Sequence, residues 1–145
     1  MVEARERRIV VGVDGSESSV RALAWAAGHA ELTGSVVEAI ATWEWPSSFG
    51  FGLVVPEGWS PADDAQKVLD KAIEQVAPAH PGLTIRTRIV EGHPAPALVE
   101  ASTGAELLVV GSRGHGEFAG MLLGSVSEHC VTHAHCPVLV VREES

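Results

Sequence analysis

Short apolar runs separated by turn-forming stretches recur along the chain, and their periodicity alternates between that of strands and that of helices. Ile9-Val10-Val11-Gly12-Val13, between a charged tail over residues 1–7 and the turn-forming Asp14-Gly15-Ser16, has the pattern of a strand buried on both faces. A helix capped by Ser16 or Ser18 is expected next. Val20, Leu23, Ala24 and Ala27 give it the i, i+3, i+4, i+7 spacing that faces a sheet, and Gly34 ends it. A second apolar strand covers 36–43. Residues 44–60, rich in Gly, Pro, Ser and aromatics, show neither period and read as a long loop, a candidate lid.

Ser60-Pro61-Ala62-Asp63 has a capping-box pattern with proline at the first helical position, and Ala65, Val68, Leu69, Ala72, Ile73 and Val76 carry a helical stripe as far as Pro78. Residues 83–90 alternate apolar positions with Thr and Arg, as in an edge strand with one wetter face. A short helix over 95–103, a strand over 107–110, a helix over 125–134 and a strand over 138–141 complete the chain. Buried-type strands joined by crossover helices call for a parallel sheet covered on both faces. The expected fold is a single-domain α/β sandwich, doubly wound, with five parallel strands in the order 3-2-1-4-5.

Composition narrows the function classes. A chain of 145 residues buries a core without disulfides or metals, and although 46% of it is hydrophobic, no apolar run approaches the roughly 18 residues of a membrane span. The net charge of −9 opposes nucleic acid, and Arg5, Arg7 and Arg8 are too few for a binding stripe. Two cysteines, Cys130 and Cys136, fit neither a disulfide framework nor a zinc knuckle, which points to a reducing, cytoplasmic setting.

In doubly wound sheets ligands bind beyond the carboxyl ends of the strands, where the winding reverses. The turns there are 14–18 and 111–124. The second reads Gly111-Ser112-Arg113-Gly114-His115-Gly116 and, after a short stretch, Gly124-Ser125-Val126-Ser127-Glu128 at a helix start. Glycines let backbone N–H groups turn toward an anion, and Ser125 with Glu128 has a capping-box pattern at a helix N-terminus that favours phosphate. Taken alone, the glycines fit a plain structural turn equally well. The segment is not a P-loop, because no Lys follows the last glycine, and Gly12 and Gly15 lack the dinucleotide-binding spacing.

The spacing Gly111-x2-Gly114-x9-Gly124-Ser125 resembles the ATP-binding signature of the universal stress protein family. Residues 9–16 resemble the family's first strand and Asp-Gly-Ser turn, Gly92-His93-Pro94 a later turn, and residues 136–142 its closing strand; only the 44–59 stretch has no clear counterpart. The resemblance implies ATP as ligand, with Mg2+ as a candidate companion ion. Asp14 would accept hydrogen bonds from the ribose hydroxyls, and the backbone of Thr42 would read the adenine edge. Val110 and Gly111 would flank base and ribose, while Gly114, Gly124, Ser125 and Val126 hold phosphates. Gly12, Val13, Arg113 and Ser127 complete the implied nucleotide-binding set. Position 12 is Gly where some ATP-binding members have Pro, and Thr42 replaces the commoner Val. The function implied is nucleotide-dependent regulation in the stress response through a protein partner not named by the sequence.

Other features have simpler readings beside the functional ones. Asp14 suits a helix cap as well as a ribose acceptor. His129 and His133 lie at i, i+4, but with Cys130, His135 and Cys136 they match no common metal site, and no metal is expected. Trp43, Trp45, Phe49, Phe51 and Trp59 suit a lid over adenine, a partner patch or packing on the core, and Trp25 suits core or interface. Efficient phosphoryl transfer is not expected, since no Lys stands near the phosphates. The alternative is a slow ATP-hydrolysing or self-phosphorylating enzyme of the adenine-nucleotide α-hydrolase-like group, but residues 14–18 lack that group's usual pyrophosphate loop. A flavodoxin-type flavin carrier would want a Ser/Thr-rich phosphate loop in that same place. Finally, Val138–Val141 becomes an apolar edge in this strand order, a template for an antiparallel homodimer, as the resemblance also implies.

Overall fold

A computed structural model describes residues 6–45, 57–112 and 123–142. The strands are β1 (Arg8–Gly12), β2 (Val36–Trp43), β3 (Ile85–Glu91), β4 (Leu107–Gly111) and β5 (Val138–Val141). The helices are α1 (Glu17–Thr33), α2 (Pro61–Val76), α3 (Pro94–Ala101) and α4 (Ser125–His133), with a 3-10 turn over Ala77–Ala79. All four strand pairings are parallel, in the order β3-β2-β1-β4-β5. The sheet therefore has the expected order.

The central strands are apolar throughout because both their faces are covered. On one face Ile9, Val11, Val37, Ala39 and Val109 pack with Leu23 of α1 and Leu69 of α2. On the other, Val10, Ile40, Leu108 and Val110 pack with Leu98 of α3 and Cys130 of α4. Ile9, Val10, Val11, Leu108 and Val109 are wholly inaccessible. Burying side chains of this size stabilises by about 1.5–3 kcal/mol each.

Helix α1 begins where Ser16 accepts a hydrogen bond from the Ser19 amide. Its buried face differs from the expected one. Ala22, Leu23, Ala26, Ala27 and Ala30 are buried, Val20 is partly covered, and Ala24 faces solvent. The alanine-rich face lets the helix lie close across β1 and β4, and the contact turns its stripe away from Ala24. Trp25 is 40% exposed and stacks on His29 at 5.0 Å, so it is not a core residue. Helix α2 starts at Pro61 with Ser60 accepting from the Ala62 amide, and its expected stripe holds: Ala65, Leu69, Ala72 and Val76 are buried, with Val68 and Ile73 packed beside them. Arg8, read from the sequence among the basic residues of the start, donates to the carbonyls of Ala101 (2.9 Å) and Thr103 (3.0 Å) at the end of α3.

Candidate functional site: a cavity at the reversal of the winding

The chain leaves β1 toward β2 and β3 on one side and reaches β4 and β5 on the other, so the crossovers diverge between β1 and β4. There the helix layers part around an open cavity of about 170 Å3. Gly12, Val13 and Asp14 enter it from the end of β1, Ile40, Ala41 and Thr42 from β2, and Val110 and Gly111 from β4. Gly124, Val126 and Ser127 close it from the start of α4. Its walls are largely apolar with a few polar groups at the rim, the usual character of a small-molecule site.

Nine of the sequence-selected residues thus share one cavity: Gly12, Val13, Asp14, Thr42, Val110, Gly111, Gly124, Val126 and Ser127. Ser125 begins α4 with an exposed side chain and does not line it. Arg113 and Gly114 lie outside the described residues, as do Phe49 and Phe51 and most of the stretch considered as a lid. At the ends of that stretch Trp45 stands edge-on to Trp43 at 5.9 Å and to Trp59 at 6.2 Å, and the Trp59 indole N–H donates to Asp64 at 2.9 Å.

Sequence reasoning missed Ile40 and Ala41 of β2 and Ser19, Ala65, Val68, Pro94 and Leu98, which complete the walls. The last five come from three helices, and only Pro94, in the Gly92-His93-Pro94 turn, carried a local signal.

Asp14 sits in a tight turn whose next residue, Gly15, has φ 86°, a conformation that glycine adopts without strain. The Asp14 carboxylate accepts from the amide (2.9 Å) and hydroxyl (2.5 Å) of Ser16, and the Asp14 amide donates to the Ser19 hydroxyl (3.3 Å). Ser16, and not Asp14, is the cap of α1. The carboxylate orients the cap and at the same time borders the cavity.

At α4 the capping expectation is corrected. Gly124 is the N-cap, in extended conformation with its carbonyl accepting from the Glu128 amide at 2.9 Å, and no side chain of the described residues caps this helix. Ser125 is one residue too late to serve. The first turn of α4 therefore presents the positive end of a helix dipole to the cavity. Ser127 has a different role: its buried hydroxyl donates to the carbonyls of Ser112 and Gly124, both at 3.0 Å, while the Gly124 amide donates to Ser112 at 2.6 Å. These bonds tie together the two ends of the glycine-rich segment.

Gly111 is demanded by packing. A Cβ there would stand 2.8 Å from the backbone carbonyl carbon of Ser18 and 2.9 Å from its Cβ.

The two cysteines are set apart from this cavity. Burial pushes the Cys130 thiol up to about 11, and burial likewise raises Cys136, against the lowering effect of Arg8. The folded chain holds these protons to higher pH than the unfolded chain, so their stabilising contribution is complete below the ordinary thiol range and declines as pH rises above it. Native protein treated with iodoacetamide at pH 8 should show Cys130 unmodified by mass spectrometry, whereas denatured protein is alkylated at both positions. Rapid native alkylation of Cys130 would contradict its burial.

A family model described as the universal stress protein family matches residues 6–142. The chain belongs to the universal stress protein family. A universal stress protein of Mycobacterium tuberculosis is 35% identical over 153 aligned positions, covering 94% of this chain and 48% of the relative. A second from the same organism is 34% identical, covering 97% and 49%. This universal stress protein chain spans about half the length of the curated relatives it matches. Among solved structures, a universal stress protein crystallised in complex with cAMP is 31% identical with a TM-score of 0.69, covering 93% of this chain and 96% of that one. UspA from Lactobacillus plantarum shares the fold at 21% identity and a TM-score of 0.75, covering 97% and 100%. No helix among the described residues of this universal stress protein is long and apolar enough to cross a membrane.

Proposed function

We propose that this universal stress protein binds ATP in the cavity between β1 and β4 and acts as a nucleotide-dependent regulator in the cytoplasm. The observation that carries the reading is the pairing of an apolar recess at the winding reversal with the glycine-capped start of α4 at its border. The recess suits a purine, and the start of α4 suits phosphate. The 31% identical relative in complex with cAMP adds an adenine nucleotide as the ligand class.

In this arrangement Val110 and Gly111 flank the base and ribose, the Thr42 backbone reads the adenine edge and Asp14 accepts from the ribose. The segment running through Arg113 and Gly114 to Gly124, Ser125 and Val126 holds the phosphates. Ser127 supports that segment through its bonds to Ser112 and Gly124. Among the described residues no three His, Cys, Asp or Glu side chains converge as a metal centre, so Mg2+ would arrive held mainly by the phosphates and water. Two copies would pair along β5, and occupancy would bias the assembly that a protein partner senses.

Calorimetric titration tests the site. Ser125→Ala removes a phosphate donor, and Asp14→Asn keeps an acceptor for Ser16 while removing the charge offered to the ribose. Each should weaken ATP about tenfold, the effect of one charge-assisted hydrogen bond. Wild-type protein that fails to bind ATP, or variants that match it, would refute the assignment.

A further inference from the structure

Helices α3 and α4 pack side by side on the face of the sheet that holds Cys130. Between them is a second open cavity, about 560 Å3, lined by Val99, Glu100, Thr103, His129, His133 and His135 among others. It shares no residue with the cavity at the winding reversal. Three of the chain's seven histidines meet there.

His129 and His133 lie one helical turn apart on the exposed face of α4, with ring centroids 4.4 Å apart. Residues at i and i+4 lie on the same face of a helix, so two imidazoles at this spacing can direct lone pairs at one point between them. His135 follows the helix, and its amide donates to the Ser102 hydroxyl at 2.8 Å, pinning this turn to the end of α3. Glu100 faces the cavity from α3.

The surroundings favour a cation. The C-terminal end of α4 carries the negative end of its dipole, and the whole chain carries a net charge of −9. In the sequence the histidines group with Cys130 and Cys136 in a cluster that matches no common metal site. Cys130 instead points into the core.

We propose that His129 and His133 chelate one divalent transition-metal ion of the kind that prefers imidazole, such as Ni2+, Cu2+ or Zn2+. No three candidate ligands among the described residues form a complete centre. The site is therefore a two-imidazole chelate with its other positions filled by water, exchangeable at the surface and not a structural metal.

The test titrates NiCl2 into the full-length protein without nucleotide, by calorimetry and by the NMR signals of the histidine rings. One saturable ion per chain is expected, and the paramagnetic ion should broaden the His129 and His133 ring signals before those of the other histidines. In the double variant His129→Gln/His133→Gln the affinity should fall on the order of tenfold or more, since even outer-shell partners cost that much. Both side chains are exposed, and circular dichroism verifies that the variant is folded. The proposal is overturned if wild-type protein binds no Ni2+ saturably, if the double variant binds it equally, or if other histidines broaden first. Loss of binding when Cys136 alone is alkylated would transfer the site to the thiol and overturn it as well.

Discussion

Replacing Gly111 with valine is expected to remove about 3 kcal/mol of folding stability, the upper part of the range for overpacking a close-packed contact. The added Cβ would meet the backbone carbonyl carbon of Ser18 at 2.8 Å, closer than such atoms approach in folded proteins. Neither side can yield readily. Ser18 sits in the first turn of α1, which Ser16 caps and Asp14 steadies, and Gly111 is held in β4 opposite Val141. Gly111→Ala brings the same Cβ and should cost nearly as much, whereas a Cβ on Gly12 meets only the terminal methyls of Leu98, the nearest at 2.7 Å, which can turn aside. Urea denaturation of Gly111→Val, Gly111→Ala and Gly12→Ala measures the difference. An unchanged midpoint for Gly111→Ala would show that α1 and β4 are not packed this tightly. The first glycine of the motif is thus required by helix packing whether or not a ligand is present, which separates its role from that of Gly124.

The proposed pairing through β5 predicts a particle of about twice 15.2 kDa by light scattering, and its conversion to monomer by Val140→Pro. Among the described residues β5 hydrogen-bonds to β4 alone, and its four residues are Val, Leu, Val and Val, all only partly covered. An edge of this kind, without Lys, Pro or a bulge, is a template for a second strand, and a two-fold axis would lay two copies antiparallel. Proline at position 140 removes one backbone donor and constrains φ. Because the same change also strains the β4 to β5 pairing, circular dichroism should accompany the mass measurement. A wild-type monomer at micromolar concentration, or a folded Val140→Pro dimer, would rule out this edge as the interface.

Much of the architecture was legible in the chain. Strands buried on both faces are apolar throughout, helices over a sheet repeat at 3.6 residues, and right-handed crossovers between parallel strands leave few orders open. Those local rules were enough for the five strands, the four helices and the order β3-β2-β1-β4-β5. The glycine spacing from 111 to 125 identified the family and the end of the sheet where a ligand would bind. Tertiary structure alone decided which residues complete the walls. Ser19, Ala65, Val68 and Leu98 carry no motif and line the cavity because three helices converge there. It also made Gly124 and not Ser125 the cap of α4, and gave Ser127 to the bonds that close the segment. Likewise α1 turned Ala24 outward because its contact with β1 and β4 selects the alanine face, and the histidines of α4 came to face Glu100 only through the packing of α3 against α4. Periodicity and turn chemistry act over a few residues. A cavity or a cluster depends on where distant segments meet, and no local pattern records that.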